Sequence, residues 1–164
     1  MPNLYFYVSA EGGRYGIMQP ANLPNGQTFG SQGASVCVIL LLITADGNLF
    51  CGHMACGISG RPDNRGIIME RATLLLATAL GEANRGQAWN ATSNSTDVTT
   101  TWMKQAMEVW FTNAPAQKSN AYNDGYFTNN DNTFPVTLSN NMGQDGATEV
   151  DTGNFTIEPN FDED

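Results

Sequence analysis

All three cysteines and the only histidine of the chain, Cys37, Cys51, Cys56 and His53, fall between Ser31 and Ser59. A thiolate is a strong nucleophile, and an imidazole beside a thiol stabilises that thiolate or takes the thiol proton and hands it to a leaving group. Cys37 with His53 therefore points to acyl transfer through a thioester. The hydroxyl of Ser31, on the approach to Cys37, can orient the far nitrogen of the imidazole. The same four soft side chains also make a three-cysteine, one-histidine set, a composition that structural zinc sites use. Cys51 and His53 lie two apart on a strand and can chelate, but the spacing is not that of a zinc knuckle or ribbon. A third reading has no chemistry in it. A cysteine beside an apolar run is commonly a small buried hydrophobe. The chain would then be a binding or structural module, presenting Asn/Thr-rich loops and the aromatics Tyr122, Tyr126 and Phe127.

The element that must position these residues is a hairpin. Val36 to Ile43 is apolar on both faces and predicts an interior strand with cover on either side. Asn48 to Ala55 is its return strand, across a turn at Asp46-Gly47. Turn length decides the chemistry. A two-residue turn sets Cys37 opposite Cys56 and sends Cys37 and His53 to different faces. A three-residue loop, Ala45-Asp46-Gly47 with glycine in the left-handed position, pairs Thr44 with Asn48, Leu41 with Cys51 and Ile39 with His53. Cys37, Cys51 and His53 then share a face, with Cys37 and His53 as diagonal neighbours.

Around this hairpin, Leu4 to Val8 reads as a first strand bounded by Pro2. Tyr15 to Met18 reads as its partner across Gly12-Gly13, followed by a loop from Gln19 to Gly33. Ile67 to Ala83 carries Ile68, Ala72, Leu75, Leu76, Ala79 and Leu80 at helical spacing, with Asp63 or Asn64 to cap it and Gly81 or Gly86 to end it. Gln87 to Thr101 reads as loop. Trp102 to Phe111 reads as a helix whose inner stripe is Trp102, Ala106, Val109 and Trp110, stopped by Pro115. Ala116 to Asn132 reads as loop, and Phe134 to Leu138 and Asn154 to Ile157 as short strands. Residues 157–164 form an acidic tail. The class is α+β: a single-domain α/β sandwich over residues 1–164, with a central, mostly antiparallel sheet and covering helices.

From Ser31 to Leu80 the order is a Gly/Ser-containing approach, a cysteine opening an apolar strand, an Asp-Gly turn, a Gly-His on the return strand and then a helix. This order resembles the cysteine-histidine protein glutamine deamidases: the chemotaxis deamidases of the CheD type, the cytotoxic necrotizing factors and related bacterial lethal factors. The resemblance implies Cys37 as nucleophile and His53, sixteen residues on, as base. Ser31 stands six positions before the cysteine, where some members carry a hydroxyl. It implies deamidation or transglutamination of a protein substrate without a cofactor, by a toxin or effector. The chain departs from the family at Val36, where Gly or Ser usually precedes the cysteine. Gly33-Ala34-Ser35 stands in place of the Leu-Ser-Gly-Cys or Leu-Gly-Ser-Cys signature.

Composition narrows the partners. The chain has 164 residues, 16 acidic against 7 basic, for a net charge of −9. Phosphate binding needs a basic patch, so nucleic acid and anionic membrane surfaces are disfavoured. No run approaches the length of a membrane span. The N-terminus has neither the basic region nor the apolar core of a signal peptide, so the expectation is a cytoplasmic protein, or one secreted by a route without that signal. An odd number of cysteines in a domain of this size argues against a disulfide scaffold.

Overall fold

The computed structural model of the chain describes residues 3–11 and 13–159; Met1, Pro2, Gly12 and the end of the acidic tail, 160–164, lie outside the described residues. In chain order the strands and helices are β1 (Phe6–Tyr7), β2 (Arg14–Met18), β3 (Thr28–Ser31), β4 (Val38–Ile43), β5 (Leu49–Cys56), α1 (Arg65–Leu80), β6 (Trp89–Thr92), α2 (Val98–Trp110), β7 (Gln117–Ser119), β8 (Asp124–Thr128), β9 (Val136–Ser139), β10 (Thr148–Glu149), β11 (Gly153–Asn154) and β12 (Thr156–Ile157). The class is α+β, in three layers. A seven-stranded sheet, β11-β2-β5-β4-β6-β7 with β12 also paired to β5, is the middle layer. A five-stranded sheet, β10-β1-β3-β8-β9, covers one face, and α1 and α2 cover the other.

The apolar run of β4 is the reason for three layers. A strand without alternation needs apolar cover on both sides. Val38, Leu40 and Leu42, with Phe50 and Met54 of β5, enter the core under the helices beside Ile68, Ala72, Leu76, Trp102 and Met107. Ile39 and Leu41, with Leu49 and Cys51, enter the core between the sheets beside Val8, Leu23, Phe29 and Phe127. At Gly125 a Cβ would lie 2.7 Å from Leu41 Cδ1, so the missing side chain lets β8 sit close against β4.

Helix α1 buries Ile68, Ala72 and Leu76 and ends at Gly81, whose φ is +82°. Asn64 stands at its N-cap, but the side chain donates to Ser59 and makes no cap bond. Helix α2 starts four residues earlier than the expected Trp102, because Asp97 caps it by accepting the Val98 N–H at 2.7 Å. Its inner stripe is Trp102, Met103, Ala106, Met107 and Trp110; Val109, expected inside, is 66% exposed.

Other expectations are corrected. β1 and β2 do not pair: β1 runs parallel to β3 in one sheet, and β2 pairs antiparallel with β5 in the other. Tyr15 stacks on Phe50 with centroids 5.4 Å apart on the helix side, while Val8 and Phe6 belong to the core between the sheets. The expected loops 19–33, 87–101 and 116–132 contain β3, β6, and β7 with β8. Of the three aromatics expected at the surface, Tyr122 is exposed, Tyr126 is half-buried and Phe127 is a core residue.

The β4–β5 loop sets the pairing of the two central strands. Gly47 adopts φ +85°, a conformation that costs an L-residue roughly 1–2 kcal/mol. Gly47→Ala is therefore expected to lower unfolding stability by about 1–2 kcal/mol, read as a shift in denaturant midpoint at constant slope. Ala substitution at neighbouring Asp46 should shift it far less.

Candidate active site

The hairpin adopts the three-residue loop. Thr44 N–H donates to Asn48 O at 2.8 Å and Gly47 N–H to Thr44 O at 2.8 Å. The strands then pair Ile43 with Leu49, Leu41 with Cys51 and Ile39 with His53. This register sends Cys51 and His53 to the face shared with the second sheet, where both are fully buried. Cys37 sits one residue before β4, in a bend, and is half-buried. Cys37 lies outside the β4–β5 pairing, whose last pair is Val38 with Met54, and the thiol that acts on it is that of Cys56.

Ser31 reaches His53 from the opposite sheet. It is the last residue of β3, which β1 and β8 hold from either side. Its Oγ lies 2.8 Å from His53 Nδ1 and 2.7 Å from the carbonyl oxygen of Val8. A serine hydroxyl has one proton, and a carbonyl can only accept. Ser31 therefore donates to Val8, and its oxygen accepts from Nδ1–H. The neutral imidazole is thereby fixed as the Nδ1–H tautomer, and Nε2 carries the lone pair. Nε2 is buried and has no hydrogen-bond partner among the described residues.

Leaving a buried acceptor unpaired costs about 1–3 kcal/mol, and such atoms in native structures are few. The other two described here belong to the same region. Gln32 Oε1 follows Ser31 in the chain, and Asn123 Oδ1 belongs to the residue whose carbonyl accepts the Ala34 N–H at 2.8 Å.

The electrostatics keep the resting groups neutral. Burial pushes the His53 pKa down to about 4. Burial also pushes the Cys37 thiol up, and the nearby Cys56 thiol adds to the effect. The resting thiol is therefore not the activated thiolate that a side-by-side imidazole would produce. No hydrogen bond joins Cys37 Sγ to His53 Nε2. Of the sequence-predicted trio, the structure joins Ser31 and His53 directly, while Cys37 stands one residue before β4, outside the strand pairing.

The four residues considered for zinc do not converge. Cys51 is sealed between the sheets, Cys56 packs against the helix-side core with its thiol donating to Ile58 O, and no group of three or more His, Cys, Asp or Glu among the described residues could hold a metal ion. A groove of about 570 Å³, lined by Tyr15, Arg71, Leu75 and Ile157 among others, contains none of the candidate residues.

Sequence reasoning missed three supports of the site. The Val8 carbonyl sets the tautomer, Thr100 Oγ1 donates to Val36 O at 2.7 Å, and Asp124 accepts the Gly33 N–H at 3.0 Å. A backbone carbonyl carries no side-chain signal, and Thr100 and Asp124 reach the site from distant segments. No protein-family model, curated protein or solved structure matches the chain.

The buried imidazole makes stability depend on pH. An unfolded histidine takes up its proton near 6.5, whereas folded His53 stays neutral to about 4. Below 6.5 the unfolded state binds more protons, so the contribution is complete above roughly 6.5 and is lost as pH falls towards about 4, by about 3 kcal/mol in all. His53→Gln removes this titration. Between about pH 7 and about pH 4 the wild type should lose about 3 kcal/mol more than the variant in paired denaturant titrations.

Proposed function

We propose that the chain is a cysteine-dependent amidohydrolase acting on the glutamine carboxamide of proteins, with Cys37 as nucleophile, His53 as general base and Ser31 as the residue that orients the base. The observation that carries this reading is the bond between Ser31 and His53. It holds a neutral imidazole in one tautomer and leaves a bare, buried lone pair on β5, the strand paired with the one that Cys37 leads into. A core histidine with only a packing role would be expected to have both nitrogens paired.

With thiol and imidazole both neutral at rest, proton transfer accompanies attack. Cys37 Sγ adds to the carboxamide carbon as its proton passes to Nε2. Collapse of the tetrahedral adduct breaks the C–N bond, and Nε2–H delivers the proton to the departing ammonia. The resulting thioester is attacked by water, which gives a proton to Nε2. The C–S bond breaks, and that proton returns to Cys37. The sum is glutamine plus water to glutamate plus ammonia. An amine in place of water gives transglutamination. Nδ1–H stays bonded to Ser31 throughout and stabilises the transient imidazolium.

The test uses a peptide in which a diazo-ketone analogue replaces glutamine, since such a probe alkylates a cysteine poised to attack that carbonyl. Mass spectrometry should find the label on Cys37, and His53→Gln should slow labelling by at least about a hundredfold. Ser31→Ala should slow it by a smaller factor, because the tautomer is no longer enforced. Labelling of Cys37 no faster than of Cys56, or indifference to His53→Gln, would overturn the reading.

A further inference from the structure

Segment 31–37 carries Ser31 at one end and Cys37 at the other, and it leaves the sheet between them. Its middle is held by Asp124. The carboxylate is 3% exposed. Its Oδ1 accepts the Gly33 N–H at 3.0 Å, and its Oδ2 accepts the Met142 N–H at 3.0 Å. Among the described residues no cation pairs with it. Asp124 stands at the start of β8, next to the Gly125 that pairs with Ser31. The preceding residue, Asn123, accepts the Ala34 N–H through its carbonyl and donates its own N–H to Asn140 Oδ1 at 3.0 Å.

A buried carboxylate without a counter-charge is expensive, and this one is 3% exposed. Two N–H donors arriving from different loops explain why the site holds a carboxylate. An amide offers one acceptor oxygen, and its NH2 would face the second N–H. Gly33 has φ +75°, so the segment turns sharply at the residue that Asp124 grips.

We infer that Asp124 is a positioning residue: it fixes the turn at Gly33 and so sets where Cys37 stands relative to the His53 lone pair. This inference rests on the amidohydrolase reading above. Asp124 makes no bond to either group and acts through the backbone of residues 33–37. The distance between a nucleophile and its base governs the rate steeply, and a displacement of about 1 Å can cost about a hundredfold.

The experiment compares four full-length chains: wild type, Asp124→Asn, His53→Gln and the double variant. All are labelled with the diazo-ketone peptide and, separately, with iodoacetamide. Asp124→Asn should slow peptide labelling of Cys37 by about a hundredfold while leaving iodoacetamide labelling as fast or faster. The double variant should be no slower than His53→Gln alone, because a displaced Cys37 has already lost the base. Full additivity of the two losses, or unchanged peptide labelling in Asp124→Asn, overturns the positioning role. If His53→Gln has no effect on the wild-type background, it is the amidohydrolase reading that fails. Should Asp124→Asn not fold, Asn140→Ala carries the test. That residue is exposed and holds the same segment through Asn123, so a severalfold loss confined to peptide labelling is expected, and no loss counts against the proposal.

Discussion

The pairing of β4 with β5 decides which of two cores each side chain of the hairpin enters. With Ile39 opposite His53, the odd-numbered residues face the second sheet and the even-numbered ones face the helices. Each aliphatic side chain buried here contributes about 1.5–3 kcal/mol relative to exposure. Both faces of β4 draw on that term, and so do the two layers that cover it. The helices cover Val38, Leu40 and Leu42, and the five-stranded sheet packs against Ile39 and Leu41. The central strand pair is thus the common wall of both cores and the frame on which the candidate chemistry is mounted.

The polar insertion in that apolar wall is His53. Burying an imidazole with one nitrogen unsatisfied works against stability. The compensation is local: one hydroxyl, held by one carbonyl, binds the other nitrogen. Because Ser31 belongs to the second sheet and Val8 follows its strand β1, the orientation of the ring depends on the two sheets being packed together. Hydrogen bonding and hydrophobic burial are coupled here, since either one failing would loosen the other.

Much of this was legible in residue patterns, and the failures have physical causes. The run Val38 to Ile43 announced cover on both faces, and the Asp-Gly turn carried the alternative that the structure adopts. Helix α1 followed from its spacing, and α2 did in part. Among the strands that were missed, β3, β6 and β8 are short and contain Gly30, Gly125, Asn90 or Thr residues. Pairing with neighbours on both sides, rather than intrinsic preference, makes them strands. Val109 fits a helical stripe by spacing, yet the packing of α2 leaves it in water. In the candidate site, Ser31 and His53 were readable because their side chains carry the chemistry. The Val8 carbonyl and Asp124 were not, since their roles exist only after distant segments meet.

Exposed hairpin loops are ordinarily where related proteins gain and lose residues most freely. The loop Ala45-Asp46-Gly47 should be an exception in the natural history of this fold. In an amphipathic hairpin, alternation of polar and apolar residues would defend the register against a change in loop length. β4 is apolar on both sides, so its alternation offers little defence, and the loop acts as the reading frame of the hairpin. Among descendants of this chain, sequence drift at Ala45 and Asp46 should be permitted, while Gly47 and the number of loop residues are kept.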